Sequence, residues 1–168
     1  KAQPQFLRAA ELSPRLWRSH NYLGQIYDFQ KDYELAVKEY AEAILIRPKD
    51  ANLYNNLGVS LFLSGRYDES ISAFKKALGA KGDKEKVYNN MGLVLAKAGR
   101  YGSAFEVFKQ GSSIPEAYNN LGLALAKNDE GERALGAYNE AIRIKPGYVE
   151  AFYNLGNLHL EREEYEDA

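Results

Sequence analysis

The side chains with the clearest capacity for chemistry in this sequence are carboxamides. "LYNNLG" from Leu53, "VYNNMG" from Val87 and "AYNNLG" from Ala117 each set two asparagines before Leu-Gly or Met-Gly. Asparagine is a mediocre helix former, so its recurrence points to hydrogen bonding rather than to helix propensity. A carboxamide both donates and accepts. A row of them on one face could pair the N–H and C=O groups of an extended peptide, which are costly to bury unpaired. Other chemistries find less material. His20 and His159 stand alone, and no Ser/His/Asp constellation can be located. "LGAKGDK" lacks the spacing of a phosphate-binding glycine loop. With no cysteine, disulfides and thiolate chemistry are excluded. The residues point to a protein that is not an enzyme and needs neither metal nor cofactor.

Composition narrows the partners. The 168 residues include 22 basic and 23 acidic ones, a formal net charge of −1, with 45% apolar and 27% charged. That is the balance of a folded globular chain, and it lacks the basic surface that nucleic acid or an anionic membrane would require. No apolar run approaches the length of a membrane span, and no basic-then-apolar leader opens the chain. Zero cysteines are compatible with a cytoplasmic or a periplasmic location. Because the first residue is Lys1 rather than Met, the expectation is a trimmed piece of something longer.

The elements that position the asparagines emerge when the glycines are aligned. Leu-Gly or Met-Gly recurs at Gly24, Gly58, Gly92, Gly122 and Gly156, spaced by 34, 34, 30 and 34 residues. With that glycine at position 8, position 4 reads His20, Tyr54, Tyr88, Tyr118, Phe152, and position 17 reads Tyr33, Tyr67, Tyr101, Gly131, Tyr165. Position 20 reads Ala36, Ser70, Ala104, Ala134, Ala168; position 24 reads Tyr40, Phe74, Phe108, Tyr138; position 27 reads Ala43, Ala77, Gly111, Ala141. Positions 4, 7, 8 and 11 make one helical stripe and 17, 20, 24 and 27 a second. Small residues at 8, 20 and 27 let the helices approach, with the aromatics at 4 and 24 beside them. "FQKD", "LSGR", "KAGR" and "KNDE" supply the turns, and Pro48 and Pro146 end second helices.

These positions resemble the tetratricopeptide repeat, a helix-turn-helix unit of 34 residues, over nearly the whole chain. The resemblance implies an all-α, right-handed superhelical solenoid of antiparallel helix pairs, with first helices lining a concave face. In that register, 1–16 is the second helix of a preceding partial repeat, and complete repeats occupy 17–50, 51–84, 85–114 (shortened) and 115–148. Residues 149–168 form a partial fifth repeat, all in one solenoid. Repeat three is four residues short, so Gly111 and Ser112-Ser113 should end its second helix early and Pro115 open the next. Repeat two ends loosely, at Gly79 and Gly82, where proline would be expected. The stack should therefore bend or twist differently around 79–84 and 111–115.

On first helices the core stripe leaves positions 2, 5, 6, 9, 12 and 13 for the groove. The candidate peptide-binding residues are Asn55, Asn56, Val59, Phe62, Asn89, Asn90, Leu93, Asn119, Asn120, Leu123, Asn154 and Asn157. Asparagine holds position 6 in four successive repeats, at Asn56, Asn90, Asn120 and Asn154. This row is similar to the asparagine ladder in the superhelix of the O-linked N-acetylglucosamine transferases, and it implies backbone-directed, sequence-tolerant binding. The competing reading has the asparagines bond between adjacent first helices and tighten the stack. A family clamp for acidic chaperone tails matches only at Asn56 and Lys86 and is set aside.

The resulting expectation is a non-catalytic protein-interaction scaffold that holds a protein or peptide partner with affinity on the order of micromolar. Two alternatives remain: the substrate-docking region of a larger enzyme such as a protein glycosyltransferase, or a structural element that self-associates through open array ends. The "YNNLG" phrases are also similar to those of some bacterial pilus-assembly and secretion proteins. His20 and His159 are expected in core or rim packing, Trp17 against a preceding helix, and "LEREEYEDA" on a solvated face.

Overall fold

The computed structural model describes residues 16–166, preceded by Gln5 and Arg8, with side chains through Arg162. The helix expected over 1–16, against which Trp17 was expected to pack, lies almost wholly outside the described residues, as do Ala168 and the side chain of Tyr165. Among the described residues there are nine helices: α1 (Trp17–Gln30), α2 (Tyr33–Ile46), α3 (Ala51–Leu63), α4 (Tyr67–Gly79), α5 (Lys84–Lys97), α6 (Tyr101–Gly111), α7 (Ile114–Ala126), α8 (Gly131–Ile144) and α9 (Val149–Glu166). The chain is all-α. It divides into two compact units, Lys1–Asn90 and Met91–Ala168.

In the first unit α1 packs on α2, and α3 packs on both α2 and α4. The pairing is set by a ring seated on a glycine. A Cβ on Gly24 would stand 2.6 Å from Tyr40 Cε1, and one on Gly58 would stand 2.7 Å from Phe74 Cε1. Both rings are fully buried, with Ala36, Ser70, Ala43 and Ala77 packed into the same interior. The Ser70 hydroxyl donates to the Gly58 carbonyl at 2.6 Å, so even this buried polar atom is satisfied. The loose end of repeat two has a steric reason. After α4 the backbone becomes extended at Ala80, Lys81 bridges to Asp50, and a side chain on Gly82 would strike the Ala51 methyl at 2.6 Å.

In the second unit α7 and α8 form the tightest pair, with α6 and α9 packed on them. Gly92 receives Phe108 and Gly122 receives Tyr138, again at 2.4–2.5 Å from a notional Cβ. The shortened α6 ends at Gly111, as its residues suggest. Ser112 is extended and its hydroxyl bonds the Phe108 carbonyl at 2.9 Å. The Ser113 N–H then donates to Glu116 Oε2 at 2.9 Å, and Pro115 sits in the first turn of α7, where its missing N–H is not required.

The turns after the first helices share one backbone device. Lys31, Gly65, Gly99 and Asp129, all at position 15, have φ of 64°, 81°, 74° and 61°, the left-handed conformation that ends a helix. At α9 the same stretch reads Arg-Glu-Glu, good helix formers, and the helix runs on to Glu166 without turning.

Burial departs from the four-position stripe in two ways. Position 3 is buried in every first helix (Ser19, Leu53, Val87, Ala117, Ala151), and so is position 10 at Ser60, Val94 and Ala124. The aromatics at position 4 are only half-buried at Tyr54, Tyr88 and Tyr118, and Phe152 is exposed. The stripe was drawn for a helix facing one partner. A first helix packs both on second helices and beside a neighbouring first helix, so its buried arc is wider and is rotated away from position 4. Histidines follow the same rule. His20 bonds Glu39 Oε2 at 2.8 Å, while His159, expected in core or rim packing, is exposed on α9. The Arg18 and Arg47 guanidinium groups stand 5.0 and 4.7 Å from the ring centre of Trp17. Of the acidic run, Glu161 is exposed and Arg162 pairs with Glu132.

Candidate peptide-binding cavities

The paired asparagines divide the work between positions 5 and 6. Asn56 Nδ2 donates to Asn21 Oδ1 at 3.0 Å, Asn90 Nδ2 to Asn55 Oδ1 at 3.0 Å, and Asn154 Nδ2 to Asn119 Oδ1 at 2.9 Å. In each case position 6 of one repeat donates to position 5 of the repeat before it. Asn55 and Asn119 are buried, 4% and 5% exposed, so their carboxamides orient the next asparagine. The half-buried Asn56, Asn90 and Asn154 keep a second N–H and a carboxamide oxygen beyond these bonds. The spacing follows from the repeat: residues 35 apart on successive first helices fall side by side when the pairs stack.

Each unit holds a cavity against this row. In the first unit Gln25, Asp28, Tyr40, Asn55, Asn56, Val59, Lys86 and Asn90 line a solvent-open hollow of about 400 Å³. In the second, Leu123, Ala126, Lys127, Tyr138, Asn154, Asn157, Leu158 and Glu161 line a half-open hollow of about 260 Å³. The structure thus brings Asn55, Asn56, Val59 and Asn90 together in one place and Leu123, Asn154 and Asn157 in another. Asn89, Leu93 and Asn120 are half-buried on α5 and α7. Phe62 is half-buried with its ring 5.9 Å from that of Tyr67.

The cavities also contain groups that the stripe assigned elsewhere. Tyr40 and Tyr138 reach them from second helices, at position 24, where repeats two and three carry phenylalanine. The Tyr40 hydroxyl donates to Asp28 Oδ2 at 2.8 Å. Burial and then this bond to a carboxylate raise its pKa far above the ordinary tyrosine value. Tyr138 is pushed up to about 12, by burial first and by the Glu161 charge second. A tyrosine among phenylalanines was the available signal, and its carboxylate partner could not be located without the packing. Among the described residues, no three His, Asp or Glu side chains gather in a form that could hold a metal, and no helix is long and apolar enough to cross a membrane.

The sequence pattern of the tetratricopeptide repeat matches residues 15–83 and 49–117, and a second pattern described as TPR repeat matches 130–168. The chain belongs to the tetratricopeptide repeat family. Membership makes this tetratricopeptide repeat array a protein–protein interaction scaffold. No curated protein sequence matches it. Solved structures of similar fold include MamA, at TM-score 0.69 and 20% identity over 84% of this chain and 85% of that one. The type IV pilus biogenesis factor PilW aligns at TM-score 0.68 and 20% identity, over 95% and 84%. YrrB, described as a TPR protein with an unusual peptide-binding site, aligns at TM-score 0.63 and 23% identity, over 94% and 84%. At these identities the likeness establishes the fold.

Proposed function

We propose that the array is a non-catalytic scaffold that holds an extended segment of a partner protein along its first helices, by hydrogen bonds from the position 6 asparagines to the segment's backbone. The observation that carries this reading is the division of labour between positions 5 and 6. Each of Asn56, Asn90 and Asn154 uses one donor to fix its orientation and retains a donor and an acceptor beside a cavity. A pre-oriented carboxamide loses little further freedom on binding, which favours capture of a flexible strand. Val59 and Leu123 supply apolar contact beside the amides. That YrrB is described as having a peptide-binding site is in keeping with this use of the fold.

The interasparagine bonds also favour a second reading, in which these residues serve the stack alone. Peptide-display selection separates the two, run on the wild type beside an Asn56→Ala/Asn90→Ala/Asn120→Ala variant, with circular dichroism confirming that both are folded. The groove reading expects the wild type to enrich extended peptides that the folded variant loses. Enrichment of the same peptides by both, or of none by either while the variant melts earlier, assigns the asparagines to the stack.

A further inference from the structure

Among the described residues that line these two cavities, Asp28 is a carboxylate fixed by hydrogen bonds from two neighbouring helices. It lies on α1 and is fixed from two other helices: Tyr40 Oη of α2 donates to Oδ2 at 2.8 Å and Ser60 Oγ of α3 donates to Oδ1 at 2.7 Å. Both donors are fully buried, 1% and 0% exposed, so the carboxylate plane is held by groups that cannot move away. Both are also neutral. They orient the charge without cancelling it, and among the described residues no cation lies within ion-pair distance of Asp28. A carboxylate accepts about four hydrogen bonds, and two of those here are used. Its attraction for a cation is stronger in a partly desolvated cavity than at an open surface.

From this we infer that Asp28 is the specificity-determining residue of the first unit's cavity, taking a Lys or Arg side chain of a peptide whose backbone is held by Asn56 and Asn90. The inference rests on the groove reading above. Lys86 enters the same cavity from α5, two first helices away from α1, and is exposed. The cavity is therefore bipolar and suits a single cationic residue rather than a basic run, which Lys86 would repel. No other repeat has this device. Position 12 is Phe62, Ala96, Ala126 and Leu160 in repeats two to five, so the cation is required at one register only.

The test is a display selection of ten-residue random peptides on wild type, Asp28→Asn and Asn56→Ala/Asn90→Ala, followed by fluorescence-polarisation titration of one enriched peptide. Asp28→Asn removes the charge, keeps an acceptor oxygen for one of the Tyr40 and Ser60 hydroxyls and turns an NH2 donor to the other, whose oxygen can accept from it. Replacing the peptide's Lys or Arg by norleucine should weaken binding to wild type by about tenfold or more, as loss of a charge-assisted bond does. The same replacement should change binding to Asp28→Asn by less than about threefold, since the charge it answers is already gone. Should Asp28→Asn not fold, the norleucine comparison on wild type alone, repeated at low and high salt, decides: a cation-independent, salt-independent affinity overturns the inference. Enriched peptides that show no cation preference yet are lost by Asn56→Ala/Asn90→Ala overturn it while leaving the groove intact. Failure to enrich any peptide overturns both.

Discussion

A methyl group added at position 8 should destabilise or stabilise this protein according to whether a ring is seated there. At Gly58 the new Cβ would stand 2.7, 2.8 and 2.9 Å from three atoms of the Phe74 ring. Carbon contacts become favourable near 3.5 Å, so the ring must retreat by about 0.7 Å. Phe74 is completely buried, and the retreat has no solvent to move into. Overpacking of this kind costs about 1–3 kcal/mol, and alanine's better helix propensity returns about 1. Three contacts under 3.0 Å with a ring that has no room to retreat put the cost in the upper part of that range, about 2–3 kcal/mol. Gly58→Ala should therefore destabilise by a net of about 1–2 kcal/mol, or roughly 2–8 °C in Tm for a chain of this size. At Gly156 the same change meets no atom within 4 Å on an exposed position, so Gly156→Ala should stabilise by about 0.5–1 kcal/mol. Urea denaturation followed by circular dichroism at 222 nm measures both. A double-mutant cycle with Phe74→Leu adds a direct check, because Gly58→Ala should cost less once the ring is gone. If Gly58→Ala is neutral, or if Gly156→Ala is equally damaging, the reasoning that the glycine exists to seat the aromatic is wrong.

Two further predictions concern the turns and the buried tyrosines. Lys31 and Asp129 hold the left-handed conformation that Gly65 and Gly99 hold in the other repeats. Lys31→Gly should thus stabilise by about 1 kcal/mol and Asp129→Gly by less, and Gly65→Ala should destabilise by about 1 kcal/mol, read from urea midpoints. Tyr138 has a folded pKa of about 12, above its ordinary 10. A group raised in this sense contributes its full stability below pH 10 and loses it as pH climbs toward 12. The urea midpoint of wild type should fall more steeply from pH 10 to 12 than that of Tyr138→Phe, and equal slopes would count against the assignment.

Much of the fold was legible in the chain because the repeat states each contact several times. Small residues at positions 8, 20 and 27 opposite an aromatic at 24 specify a helix pair by shape alone, and the structure seats Tyr40, Phe74, Phe108 and Tyr138 on the corresponding glycines. Local chemistry likewise fixed the early end of α6 and the start of α7 at Ser113, Pro115 and Glu116. The same pattern led to expecting position 4 in the core, where Tyr54 and Phe152 contradict it. A stripe drawn for one helix pair cannot register the second face that a neighbouring first helix covers.

What the sequence determined by itself is the all-α repeat, its register and the presence of carboxamides on the first helices, since each depends on residues within one 34-residue unit. Tertiary structure alone decided which asparagine is buried and which retains bonding capacity. That choice depends on how one first helix lies against the next, 35 residues away along the chain, as between Asn90 and Asn55. It alone also gathered Asp28, Tyr40 and Ser60 from three helices, because a hydrogen bond of 2.7 Å between side chains 32 residues apart is a property of packing and not of periodicity.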